Sequence, residues 1–473
     1  MESYDAIIIG AGPNGLAAAI EIARAGRSIC VYEANPKVGG GTRSGELTQP
    51  GFVHDICSAV HPLAAGSPYF SKLPLKDYGL EFIYPRAALA HPFDDGTAIV
   101  LDRSVEVTSA TLGRDAAAYQ DLFSPFVERW HDLASDLLGP PRFPRHPFTL
   151  ARFGIKAIRS AKGFAESIFQ EDKTRALFAG LAAHSFLALD WLGTAAFGLV
   201  LGITSHAIGW PIVKGGSQSI ADALANHLIA LGGEIKTNHR IESLAQLPPA
   251  RAVLCDLTPR QVLGVAGEML PAGFRRKLSR YRYGPGAFKM DWALSSPVPW
   301  AAKECFQSAT VHLGGSFEEI IVSERQVTEG KNPERPFIIL SQPSIFDQSR
   351  TPDGQHTLWA YCHVPNGSTV DMTGKIENQI ERFAPGFRDC ILARSVMTPR
   401  DLESYNANLV GGDINGGLQD LSQMFLRPTI RMYSTPTRGL YICSSSTPPG
   451  GGVHGMCGYH AARVALRKSL SRG

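Results

Sequence analysis

Apolar positions run along this chain in two rhythms, and the first change of rhythm falls within the opening thirty residues. Tyr4 to Ile9 is a short, almost unbroken apolar run rich in β-branched residues, the pattern of a strand buried on both faces of a parallel sheet. A glycine-rich stretch follows, and then Leu16 to Ala25, a run of strong helix formers closed by Gly26. Ser28 to Tyr32 predicts a second strand, ending on Glu33. Near the other terminus the order repeats: Gly439 to Cys443 reads as a strand and Met456 to Leu466 as a helix, with a Gly/Pro-rich turn between them. The most apolar region, Leu177 to Val213, is interrupted by His184, Asp190 and His206. Its longest uncharged piece, Trp191 to Ser205, has 15 residues, short of the ~20 that a membrane-spanning helix needs. A buried helical wall or a monotopic surface is expected there.

Composition narrows the classes. A chain of 473 residues predicts two or three domains. Forty-eight Gly and 32 Pro predict many tight turns, as in interleaved α/β and antiparallel sheet regions. A net charge of +3 without any long Lys/Arg run excludes nucleic acid as a partner. The eight cysteines are scattered, with no CxxC pair and no Cys/His cluster at metal spacing, so a reduced, cytoplasmic protein without a metal site is expected, with peripheral membrane contact as an option. The first strand begins within a few residues of Met1, so no signal peptide is expected.

The glycines between the first strand and helix have defined spacing. In Gly10-Ala11-Gly12-Pro13-Asn14-Gly15, Gly10 permits a tight turn, Gly12 lets backbone approach a pyrophosphate, and Gly15 allows close packing of helix on strand. The helix N-terminus then offers free N–H groups and a positive dipole end to phosphates. Glu33 is placed to hydrogen-bond a ribose diol and would repel a 2′-phosphate, which favours FAD or NAD over NADP.

The next blocks choose between these two. Ala34 to Ser44 carries Gly39, Gly40 and Gly41, followed by Thr42 and Arg43, a second place where backbone can touch a long extended dinucleotide without side chains between. Arg43 could add a cationic partner for pyrophosphate or flavin, or pair internally with Asp55. At the C-terminal end, the turn Ser444 to Gly455 (with Ser446, Gly451, Gly452, Val453 and His454) leads into a helix N-terminus, suited to negative charge at the edge of a reduced flavin. No second GxGxxG follows a strand; Val410 to Gly417 lacks that context, so no separate nicotinamide domain is expected.

With these residues in place, the chain resembles the phytoene dehydrogenase-related branch of FAD-dependent oxidoreductases. That group includes carotenoid desaturases and the pyridine nucleotide-disulphide oxidoreductase domain-containing proteins, within a superfamily that also holds flavin amine oxidases. Gly209 to Ser219 resembles the superfamily's middle glycine block; the helix Ile220 to Leu231 and the segment Gly232 to Ile241 continue it; and Ala252 to Asp256 looks like a strand returning to the FAD sheet. Tyr283 to Leu294, Pro299-Trp300 and Thr310 to Gly315 point to the desaturase-like branch. The resemblance implies an α/β fold: a discontinuous Rossmann-type FAD domain (1–85, 209–275 and 431–473), a helical cap (86–208) and a substrate domain with a mixed or antiparallel sheet (276–430). It implies noncovalent FAD held by Gly10, Gly12, Pro13, Asn14, Gly15, Glu33, Ala34, Gly40, Gly41, Thr42, Arg43, Ile241, Ser446, Gly451, Gly452, Val453 and His454. In such proteins the residue matching Ile241 meets the adenine end through its backbone.

Flavin dehydrogenation asks little of side chains, because the cofactor carries the difficult step. His454 is the candidate catalytic or flavin-contacting residue, with helix capping as its alternative. Satisfied core positions are expected for His54, His61, His184, His206 and His312, while Trp210 and Trp300 could line a substrate cavity. The leading reading is a dehydrogenase or desaturase that removes two hydrogens from, or isomerises, an apolar small molecule and passes the electrons to oxygen, a quinone or another carrier. A flavin amine oxidase is the enzymatic alternative. A non-catalytic escort protein on the same scaffold, as in GDP-dissociation inhibitors, is the alternative of another class. Oligomeric state is not legible.

Overall fold

The computed structural model describes residues 3–471, so residues 1–2 and 472–473 of the outermost expected segments lie outside it. Two sheets organise the chain. A five-stranded parallel sheet places Tyr4–Ile9 between Ala250–Cys255 and Ile29–Tyr32, with Leu440–Ile442 and Glu234–Lys236 at its edges. Its five strands come from three separate stretches of chain. The central strand is buried along its length, as its unbroken apolar pattern predicts.

The helix after the glycine loop spans Pro13–Arg24, starting three residues earlier than the apolar run suggests because Pro13 takes its first turn, where its missing N–H costs nothing. Gly26 follows in the left-handed conformation (φ 72°). The last helix, Met456–Lys468, packs along this first helix. A β-carbon on Gly458 would collide with the Asn14 carbonyl, so the two helices touch backbone to backbone.

The second sheet has seven strands in mixed order: Ile391–Met397, Gly286–Leu294, His356–Val364, Ile338–Ser341, Ser308–Leu313, Ala87–Pro92 and Ala98–Asp102. All pairs are antiparallel except Ser308–Leu313 with Ala87–Pro92. Residues 86–208, expected as a helical, substrate-binding cap, also supply two strands of the large sheet; the helices begin at Val105. Ala87–Pro92 is fully buried and ends on a proline, so it lacks the alternation that marks a strand. The apolar region becomes two helices, Asp172–Ala183 and Ala195–Ala207, both packed in the main core. Among the described residues no helix is long and apolar enough to cross a membrane.

A buried charge network fastens the two sheets' surroundings together. Arg350 is fully enclosed; Nη1 lies 2.7 Å from Asp55 Oδ2, Nε 3.1 Å from Asp347 Oδ2, and Nη2 donates to the Val213 carbonyl at 2.6 Å. Asp55 also accepts the Ser217 N–H and the Ser44 hydroxyl, both at 2.7 Å. Removing the cation leaves two carboxylates in a low-dielectric interior. Arg350→Met is therefore expected to lower the unfolding free energy by about 3–5 kcal/mol, read by urea denaturation at pH 7; a loss under ~1 kcal/mol would show that the network is relieved by water.

Candidate functional site

A cavity of about 1040 Å³ runs from the glycine loop of the parallel sheet to the face of the large sheet. Gly10, Gly12, Pro13 and Asn14 line one end, with Glu33, Ala34, Arg43 and Ile241 beside them. Gly15 does not line it. A β-carbon there would collide with the Gly10 carbonyl, and its N–H donates to Asp256 Oδ2 at 2.9 Å. Gly12 borders both cavity and protein: a β-carbon on it would stand 2.8 Å from the Asp256 carboxylate.

Glu33 has more partners than a ribose-binding carboxylate requires. Oε2 accepts the Ala11 N–H at 2.9 Å, and Oε1 accepts the Asn35 N–H at 2.9 Å, the Asn35 amide at 3.0 Å and Arg43 Nη2 at 3.2 Å. It bolts the two glycine loops together at the cavity wall. Arg43 consequently pairs with Glu33, not with Asp55, whose cation is Arg350. The Arg43 guanidinium also lies 5.1 Å from the centre of the Tyr405 ring. Two strongly bent loops bring these groups together, and residue spacing could not choose between the carboxylates.

Gly40, Gly41 and Thr42 form the middle of the wall, and a β-carbon on Gly40 would press on the Cα of Gly12. From the C-terminal turn, Gly451, Gly452, Val453 and His454 line the cavity. Ser446 stands behind it, its hydroxyl donating to the Gly416 carbonyl at 2.8 Å, while Ser444 and Ser445 reach the wall. His454 is buried; Nδ1 accepts the Met456 N–H at 3.0 Å, at the start of the last helix. Burial pushes its imidazole down to about 4, so the ring is neutral and weakly basic. His454 thus caps the last helix through Nδ1 and lines the cavity as well.

The opposite end is apolar and aromatic. Trp210, Phe186, Trp359 and Tyr361 line it with His184 and Thr310, and the cap contributes Phe153, Ala157, Phe197 and Val200. Trp300 is elsewhere, in the core of the large sheet, with its indole N–H on Gln342 Oε1 at 3.0 Å. His206 is satisfied internally, with Tyr119 at 2.8 Å and the Arg103 carbonyl at 3.2 Å; His54 bonds Thr48 (2.8 Å) and His61 bonds Ser217 (2.7 Å) through Nε2, each leaving a buried Nδ1 without a partner, and His61 lines the cavity. His184 lines the cavity as well, so the sequence pattern, which places both His61 and His184 in the core, is corrected for both. Trp359 and Tyr361 escape the sequence pattern altogether, because a fully buried strand carries no mark of which face meets a cavity. Among the described residues no group of His, Cys, Asp and Glu is arranged to hold a metal, and the eight cysteines are free thiols.

Asp256 reads in the sequence only as the end of a strand. It lines the cavity beside Gly10 and Gly12, and burial pushes its carboxyl up to about 7. A proton held there would lessen repulsion toward an anionic ligand. The linkage sign follows: the unfolded carboxyl ionises near 3.8, the folded one only near 7, so stability is lost as pH rises between them. Asp256→Asn keeps an acceptor for the Gly15 N–H without the charge. Its stability advantage over the parent should grow by a few kcal/mol from pH 4 to pH 7 and stay level above, in denaturation series at each pH; an advantage independent of pH would refute the raised pKa.

Comparison with known proteins agrees with this architecture. The profile of the NAD(P)-binding Rossmann-like domain family matches residues 8–73. The chain is 26% identical to pyridine nucleotide-disulfide oxidoreductase domain-containing protein 2 of Mus musculus, across 98% of this chain and 93% of that protein. It is 24% identical to phytoene desaturase (neurosporene-forming) of Rhodobacter capsulatus, across 96% and 92% of the two chains. Wild-type putrescine oxidase bound to putrescine superimposes with a TM-score of 0.62 at 17% identity, across 98% of this chain and 99% of that one, a likeness of fold. The resemblance drawn from the sequence thus extends over nearly the whole chain.

Proposed function

We propose that this chain, similar along its length to the phytoene dehydrogenase-related flavoproteins, is an FAD-dependent oxidoreductase that dehydrogenates or isomerises a largely apolar small molecule. The observation that carries this reading is a single cavity that joins side-chain-free backbone at one end to an aromatic chamber at the other. The donor set fits FAD. Gly10, Gly12, Gly40 and Gly41 form a cradle for an extended dinucleotide, the first helix presents its N-terminus, and Asn14 keeps a buried, unpartnered Oδ1 at the wall. Ile241 and Glu33 would border the adenosine half, and Gly451, Gly452 and Val453 the flavin half. Cys443 and Cys457 are buried with thiols pushed up by burial, which supports noncovalent binding.

Bound FAD would supply the hydride acceptor. The chain's own part is to orient a substrate against it and exclude water, which Phe186, Trp210, Trp359 and Tyr361 do by closing an apolar surface around the chamber. The electrons would then pass to oxygen, a quinone or another carrier. The similarity to phytoene desaturase along nearly the whole chain favours this reading over an amine oxidase. The intact cradle favours it over an escort role.

Purified protein is expected to be yellow, and Gly12→Val, whose side chain has no room beside Asp256, to lose at least about tenfold in flavin content. Colourless protein that takes up no FAD, or wild-type flavin content in the variant, overturns the assignment. Anaerobic bleaching against a panel of apolar polyenes, amines and lipids then identifies the substrate class.

The apolar substrate also needs access. The helix Pro147–Ala157 turns Phe153 and Ala157 toward the cavity and leaves Phe148 89% exposed, with Phe143 88% exposed just before it and Ile155 outward on the next turns. From Leu137 to Ala165 the chain carries Arg142, Arg145, Arg152, Lys156, Arg159 and Lys162 and no carboxylate. This surface suits peripheral contact with an anionic bilayer. Sedimentation with phosphatidylglycerol-containing vesicles is expected, with at least about tenfold weaker partition for the Phe148→Ser/Ile155→Ser double variant at unchanged flavin content. Equal partition of variant and parent, or none by the parent, would count against the contact.

A further inference from the structure

Asp256 sits at the exit of the strand Ala250–Cys255 and lines the glycine end of the cavity. Its Oδ2 accepts the Gly15 N–H at 2.9 Å, and a β-carbon on Gly12 would stand 2.8 Å from the same oxygen. The carboxyl therefore lies on the side where Gly12 is bare, and bare backbone there is what lets a diphosphate come close. Oδ1 has no partner among the described residues yet stays accessible, and the space it reaches is the cavity. An ionised acid in this place would repel the ligand that the glycines admit, with little water between the charges.

The groups around the carboxyl offer no compensating charge. Glu33 faces it from the end of the second strand with a carboxylate of its own, which Arg43 holds. Cys255 on the same strand, Cys443 after the edge strand Leu440–Ile442 and Cys457 on the last helix are thiols pushed up by burial, hence neutral. Arg260, on the following helix Pro259–Ala266, is paired with Glu403. Among the described residues no cation pairs with Asp256, and burial pushes its carboxyl up to about 7. His239 and Arg240 line the same end of the cavity from exposed positions. The place of a proton follows from the hydrogen bond. The oxygen that accepts the Gly15 N–H is the carbonyl oxygen of a neutral carboxyl, so the proton sits on Oδ1 and is offered to the cavity.

We propose that Asp256 binds the diphosphate of the dinucleotide as a neutral carboxyl that donates from Oδ1, so that cofactor and proton are taken up together. An O–H donated to an anionic oxygen is among the stronger hydrogen bonds, and it replaces a repulsion by an attraction. The sign of the linkage is fixed. At low pH the proton is already in place and affinity is level. Above the carboxyl's own ionisation a proton must be drawn from water, and affinity falls about tenfold per pH unit until the complex itself ionises. The cavity therefore loosens its hold on the cofactor as its surroundings turn alkaline. This deepens the proposed function and rests on it for the identity of the ligand.

The test dilutes the flavin-loaded protein at pH values from 6 to 9 and reads released FAD by its fluorescence. The dissociation constant is expected to be nearly level up to pH 7 and to rise at least about tenfold between pH 7 and pH 9. Calorimetric titration with FAD at pH 8, in buffers of different ionisation enthalpy, is expected to show about one proton taken up per FAD bound. Asp256→Asn keeps an acceptor for the Gly15 N–H and a donor toward the cavity but does not ionise. Its affinity should match the parent's at pH 6 and stay level to pH 9. A merely structural carboxyl would give a variant that is weaker at every pH with the slope retained. Flat affinity of the parent from pH 7 to pH 9, no proton uptake, or the parent's slope kept in Asp256→Asn, which would move the titration to His239, overturns the inference. Protein that takes up no FAD at any pH overturns the cofactor reading instead. ADP-ribose, which carries the same diphosphate without a flavin, then replaces FAD in the titration, and absent or pH-independent binding sinks the proton-linked site as well.

Discussion

Backbone-to-backbone contact around residues 10–15 is the constraint on which the rest of the structure depends. The first helix can lie on its strand only because Gly15 has no β-carbon to meet the Gly10 carbonyl, and the last helix can lie on the first only because Gly458 has none to meet the Asn14 carbonyl. These contacts bring the C-terminal turn over the cavity that begins at Gly12. Substitution at either glycine would move whole helices, since close-packed interiors transmit displacement instead of absorbing it.

Charged side chains secure what the glycines bring together, and each pair spans loops that are distant in sequence or direction. Glu33 and Arg43 join the two glycine loops; Arg350 joins Asp55, Asp347 and the Val213 carbonyl. Their desolvation is offset by ion pairing and hydrogen bonds, with Arg43 Nε left unpartnered, so each network fixes geometry while adding little net stability over an apolar replacement. Asp256 is the exception. Its single strong partner is the Gly15 N–H, and its raised pKa records a carboxyl kept where an anionic ligand is expected.

The two ends of the cavity follow opposite physical rules. At the dinucleotide end the wall is backbone, so recognition rests on N–H groups and the absence of side chains. At the chamber end the wall is built of aromatic side chains, so the surface it offers is apolar and shaped by rings. Joined in one space, they set a flavin-sized site against a substrate-sized one.

The local part of this architecture is legible in the amino-acid sequence by itself. Strand, glycine loop, helix and second strand lie within the first 33 residues, and their interactions are set by spacing alone. The C-terminal strand, turn and helix are legible for the same reason, as is the similarity to flavoproteins that spans the chain. Other features depend on long-range pairing. Arg43 has two carboxylates within reach in sequence, and only the path of the loops chooses Glu33 over Asp55. The strands at Ala87 and Ala98 join a sheet whose other members lie two hundred residues away, which no local pattern records. His184, Trp210 and Trp359 come from a helix end, a loop and a strand, and only the packing of the cap on the large sheet brings them to one cavity wall. Local periodicity and glycine spacing determined the glycine-lined end of the cavity, whereas the aromatic end was decided by which faces the folded sheets and cap turned toward one another.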